Sequence, residues 1–233
     1  MFDTLIRGGW VVDGDGGPRR RADVGIVEGR ITDIGPDLDT AGATVLDADG
    51  RIVCPGFVDV HTHYDAQLFW DPYATPSCQH GVTSVVMGNC GFSIAPLGDD
   101  SDAEYLAAML VRVEGMSPAA LAEGVDWDWR SFGDFLGRFE GKLGVNVAGM
   151  VGHSALRRMV MKDDAVSREA TATELVEMQR VLAESLEAGG LGFSTSRSFT
   201  HSDGDGRPVP SRTAAVDEVV ALCGVCAEYP GTT

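Results

Sequence analysis

The chain is short of basic residues. Its 233 residues hold 18 Lys and Arg against 35 Asp and Glu, a formal net charge of −17 at pH 7. Such a surface repels phosphate backbones and anionic headgroups, which argues against nucleic-acid and membrane partners. Long apolar runs are also missing: no window approaches 18 uncharged apolar residues, so no transmembrane helix is expected. Met1-Phe2-Asp3-Thr4 lacks the basic segment and apolar stretch of a signal peptide, and none is expected. The five cysteines are Cys54, Cys78, Cys90, Cys223 and Cys226, an odd number without small-domain disulfide spacing. That predicts a reduced, cytoplasmic chain. No Gly-x-Ser-x-Gly occurs, and Cys90 has no evident base beside it, so nucleophilic Ser or Cys chemistry has no support.

What is present divides in two. Residues 1–54 read as short strands with tight turns. Thr4-Leu5-Ile6-Arg7 and Trp10-Val11-Val12 flank Gly8-Gly9; Val24-Gly25-Ile26-Val27 and Arg30-Ile31-Thr32-Asp33-Ile34 flank Glu28-Gly29. Both patterns predict hairpins. From residue 55 the texture becomes α/β. Strands are predicted over 56–63, 82–88, 145–151 and 190–195, continuous and apolar enough for a parallel sheet. A helix is predicted over 101–113, with Ser101 or Asp102 at its N-cap. Pro118 starts a short helix, and others cover 170–188 and 216–222. Trp127, Trp129, Phe132 and Phe135 read as a packing cluster. This alternation predicts the first half of a (β/α)₈ barrel, since a whole barrel takes about 250 residues by itself.

Two histidines at the end of an apolar strand carry the most chemistry. Residues i and i+2 of a strand share a face, so His61 and His63 point one way, with Asp59 and Phe57 behind them. Such a pair can grip one divalent metal, or can be two polar residues at an ordinary strand end. Asp59 could hold a ring N–H, and Asp65 could orient the pair. Cys90 lies in a glycine-flanked turn after the second strand, where a thiolate suits zinc. Cys223 and Cys226, like Cys54 and Cys78, read as packed interior cysteines. His80 starts the second strand, at the stability end of a barrel. His153 follows the third strand, with a substrate role and a structural role equally open. His201 reads as solvated. Arg197 is the candidate for binding a carboxylate.

Pro55-Gly56-Phe57-Val58-Asp59-Val60-His61-Thr62-His63-Tyr64-Asp65 resembles the first barrel strand of the metal-dependent amidohydrolase superfamily. Residues 81–96, with Asn89-Cys90-Gly91, resemble the second strand of the N-acyl-D-amino-acid deacylases, or D-aminoacylases. Gly152-His153-Ser154-Ala155-Leu156-Arg157 and Gly192-Phe193-Ser194-Thr195-Ser196-Arg197 support the match. The resemblance implies a small β-sandwich contributed partly by residues 1–54, then an incomplete metal-dependent barrel over 55–233. It implies zinc-dependent hydrolysis of N-acyl-D-amino acids, small-molecule substrates. Cys90 would help hold a tight Zn²⁺, and His61 and His63 a weaker divalent site. Two further histidines and the general-base aspartate would lie beyond Thr233, leaving this chain an inactive fragment prone to self-association through its barrel edges. Alternatives are a hydantoinase-like cyclic amidase, whose carboxylated lysine between the metals is argued against by Asn89-Cys90-Gly91, or a non-catalytic remnant acting through assembly.

Overall fold

A computed structural model describes residues 1–233. The chain separates into two compact units, Met1–Gly56 and Phe57–Thr233, dividing two residues later than the sequence suggests.

The first unit is one five-stranded sheet. Its strands are β1 (Thr4–Val11), β2 (Arg20–Val27), β3 (Arg30–Gly35), β4 (Thr44–Asp47) and β5 (Ile52–Val53). They run β3-β2-β1-β4, with β5 also on β1. Leu5, Val11, Ala22 and Val24 are its buried apolar residues. The Glu28-Gly29 hairpin forms, with both residues at positive φ as a type I′ turn requires. Gly8-Gly9 is not a turn. It is a bulge within the continuous β1, marked by a register shift between Ile6 and Gly9 and by φ +73° at Gly8. The sequence pattern cannot separate these cases, because glycine serves both.

The second unit holds a parallel sheet of β6 (Phe57–Thr62), β7 (Val82–Met87), β8 (Asn146–Gly152) and β9 (Gly192–Ser194), in that spatial order. Thr233 extends the ladder: its N–H donates to Leu191 and its carbonyl accepts from Phe193. Helices α1 (Asp100–Glu114), α2 (Pro118–Gly124), α3 (Phe132–Gly137), α4 (His153–Met161), α5 (Ala172–Glu187) and α6 (Val216–Cys226) surround it. The strand order and βα alternation are those expected of successive barrel units.

Local chemistry sets the helix ends. Asp99, not Ser101 or Asp102, caps α1: its side chain accepts from Ser101 N–H, and Asp102 completes a capping box. Thr171 and Glu174 do the same for α5, whose Met178, Leu182 and Leu186 are buried at helical spacing. Trp129, Phe132 and Phe135 are fully buried, as their clustering predicts. The cysteines outside the site are not interior residues: Cys54 and Cys223 are exposed, and Cys78 and Cys226 half-buried. Cys223 occupies the solvent side of α6, which apolar helix composition alone does not reveal.

Candidate metal centre

The site is built at the C-terminal ends of β6 and β7. Thr62 is buried and donates its hydroxyl to the Val86 carbonyl across the ladder, at 3.0 Å. His61 and His63 have the opposite parity and share the other face, their ring centroids 5.3 Å apart.

Cys90 is delivered by a tight turn. Gly88 and Gly91 take φ +77° and +83°, and a Cβ on either would fall under 3 Å from the backbone of Met150 or Ser196. Ser194 of β9 pins both sides of the turn, accepting from Gly91 N–H and donating to the Gly88 carbonyl. Asn89 ties it to β6, its amide donating to the Val60 carbonyl at 2.7 Å. The Cys90 thiol then lies 3.7 Å from His63 Nε2, and one donor atom from each of His61, His63 and Cys90 falls within 4.8 Å of the others.

The electrostatics of this cluster fit a cation. Burial, with help from His61 and His201, pushes His63 down to about 4, so its imidazole is neutral and carries a free lone pair. Burial, with the negative charges of Glu114 and Asp65, pushes the Cys90 thiol up to about 12. Burial and Glu114 raise Asp65 to about 7, and its Oδ1 is buried without a hydrogen-bond partner. Two imidazoles and a thiol are zinc-type donors, and a nearby cation would relieve the crowded acids.

The cluster lines a cavity of about 520 Å³ together with Arg112, Glu114 and His201. A larger hollow of about 980 Å³ lies between α1 and α2 beside Trp127, but it is largely apolar and offers no histidine or cysteine. Arg112 borders both.

The remaining predicted residues scatter. Asp59 accepts from the backbone N–H of His61, not from a ring. His153 is fully buried and is not in the cavity wall: Nε2 meets Glu218 and Nδ1 meets Thr195, each at 2.8 Å. Arg157 grips the same Glu218 with two 2.6 Å contacts. Arg197 is exposed and also lies outside the wall. His201, by contrast, belongs to the wall, bonded to Ser196 and packed on Phe92 with ring centroids 4.8 Å apart.

Glu114 and Arg112 were not foreseen. An ordinary barrel helix runs back toward the far end of the sheet, so its last turn would lie away from the site. Here the end of α1 returns to the face carrying His61 and His63, and only the unusual carboxylate in its last turn hints at this.

Known proteins resemble this chain in sequence and fold. A family model described as "Amidohydrolase family" matches residues 44–233. The N-acyl-D-glutamate deacylase of Alcaligenes xylosoxydans xylosoxydans is 43% identical over 200 residues, covering 85% of this chain and 38% of that protein. A D-aminoacylase structure concerned with a binuclear metal centre superposes with a TM-score of 0.80 at 37% identity, over 99% of this chain and 44% of that one. The N-acyl-D-glutamate deacylase of Bordetella bronchiseptica, solved with zinc and a phosphonate inhibitor, gives a TM-score of 0.74 at 34% identity, over 97% and 43%. This chain thus spans less than half the length of these relatives. With its matched family model and shared fold, the chain belongs to the amidohydrolase family, where it is similar to the N-acyl-D-amino-acid deacylases.

Proposed function

We propose that the chain carries the metal-holding portion of a deacylase site acting on the amide of N-acyl-D-amino acids. The convergence of His61, His63 and Cys90 at adjacent strand ends supports this most directly. Cys90 in place of a lysine-based bridge favours the deacylase reading over a hydantoinase-like one. Zinc suits the donors: the family resemblance gives Cys90 to a tight site and His61 and His63 to a weaker one, and in this chain the three lie close enough to hold a single ion. When bound, such a metal supplies Lewis-acid polarisation of the scissile carbonyl.

The chain's own residues do the rest. His63 is kept neutral, and the pinned Gly88–Gly91 turn fixes Cys90 in place. The substrate is an anion, and the chain is strongly acidic, so the cavity needs a local cation. Arg112 lines the cavity and has no carboxylate within salt-bridge distance, whereas Arg197 lies outside the wall, which makes Arg112 the better-placed carboxylate binder. The proton-accepting aspartate of the family has no counterpart among the residues lining this cavity, and the chain alone is read as catalytically inactive.

Binding tests this without relying on turnover. The zinc-loaded chain is expected to bind a phosphonate mimic of the tetrahedral intermediate, with the D form preferred over the L form. Loss of zinc, or the C90S and paired H61N/H63N changes, should remove that binding. Equal binding of both enantiomers, or binding indifferent to zinc, would overturn the assignment.

A further inference from the structure

We propose that Glu114 is a metal ligand, the fourth protein donor of the His61–His63–Cys90 site. This rests on the metal reading of the cavity and adds a residue to it.

The geometry is the first ground. Bonds of about 2.0–2.3 Å in a tetrahedral site set donor-to-donor distances of about 3.3–3.8 Å. Glu114 Oε2 lies 3.4 Å from His63 Nε2, and Cys90 Sγ lies 3.7 Å from the same nitrogen. Both separations are tetrahedral edges that meet at His63. Glu114 also lines the cavity into which the other three donors point.

The second ground is the cost of leaving Glu114 there otherwise. It is the last residue of α1, and Gly115 at φ +67° ends the helix immediately after it. Unpaired carbonyls give a helix C-terminus partial negative charge, which disfavours a carboxylate. No lysine or arginine approaches within salt-bridge distance; the one group within that range is His63. The side chain is nevertheless withdrawn from water, with 19% of its surface exposed against 22% for His63. A bound divalent cation would offset both penalties at once.

The third ground is the surrounding charge. Asp65, buried with one oxygen unpartnered, faces Glu114 and Cys90. Three acidic groups thus gather around two imidazoles, and Arg112 at the cavity wall makes no salt bridge to any of them.

Cobalt titration of the reduced chain provides the test, because Co²⁺ reports both its affinity and its coordination in the visible spectrum. E114Q should weaken Co²⁺ binding about tenfold or more and alter the ligand-field band, with the thiolate charge-transfer band kept. E114H should restore much of the affinity, and E104Q, on the same helix, should match the unaltered chain. A titration of E114Q superposable on the unaltered chain would overturn the proposal, provided C90S and H61N/H63N still abolish binding. Weaker binding with an unchanged ligand-field band would also overturn it, because Glu114 would then only orient His63. Binding indifferent to C90S and H61N/H63N would instead sink the metal reading itself.

Discussion

At the scale of single residues, the site depends on a few hydrogen bonds that hold the Cys90 turn. Ser194 is the most exposed to test. It is buried and satisfies both Gly91 N–H and the Gly88 carbonyl. Replacing it by alanine leaves two buried backbone groups unpaired, at about 1–3 kcal/mol each. S194A is therefore expected to lower unfolding stability in a denaturant titration and to weaken zinc binding, though Ser194 touches no donor. Unchanged zinc affinity in S194A would show that the turn holds its shape without the hydroxyl. The histidine pair and Cys90 were legible in the sequence because strand periodicity and flanking glycines fix where they point. Ser194 was not, because its partners lie over 100 residues away in the chain. Glu114 was not, because helix direction over the sheet is a tertiary property. His153 could not be resolved from sequence, since the same position serves equally for a substrate contact or a buried strut.

At the scale of elements, α4, β9 and α6 are joined by one buried polar knot. His153 and Arg157 from α4 share Glu218 of α6, and Thr195 just after β9 completes it. E218Q would leave Arg157 buried without its counter-charge, which costs about 3–5 kcal/mol in comparable pairs. A urea midpoint close to that of the unaltered chain would mean that water reaches Arg157. The knot also sets a pH dependence. Burial holds His153 below its ordinary 6.5, though Glu218 pulls the other way. Below pH 6.5 the unfolded chain takes a proton there that the folded chain refuses. Stability should therefore be full above that pH and fall as the solution is acidified, by at most about 1.4 kcal/mol per pH unit for this one group. His63 and His201 are lowered too and add to the slope in the same sense, whereas Asp65, raised to about 7, takes up a proton in the folded chain over the same range and opposes it. Glu218 is held down by His153 and Arg157 against its burial, so its contribution is lost only at lower pH. Stability measured from pH 7.5 to 5.5 should fall less steeply in H153Q, by the share of one proton. An identical slope would place the titration elsewhere. Four of the six helices were read from sequence and α3 and α4 were not; α1 starts earlier than predicted because Asp99 caps it, and α5 starts two residues later, after its cap Thr171.

At the scale of the whole molecule, the parallel sheet raises the question of its edge. β6 pairs with β7 alone, so its outer side presents unsatisfied backbone groups. Phe57, Val58 and Val60 on this strand are each 60% exposed. Three large apolar side chains on one short strand are unusual at a free surface and favour association. The net charge of −17 opposes precipitation but does not cover the edge. The chain is thus expected to form soluble oligomers at tens of micromolar, reversed on dilution. Lysines at Val58 and Val60 should block strand-to-strand approach through charge, as natural edge strands do. Sedimentation velocity distinguishes the outcomes. V58K/V60K should shift the population toward monomer while leaving zinc affinity within about twofold, because both residues point away from the histidine face by strand parity. Oligomers of unchanged size in the double variant would place the contact on another surface, with the exposed Val216 and Val220 of α6 the next to change.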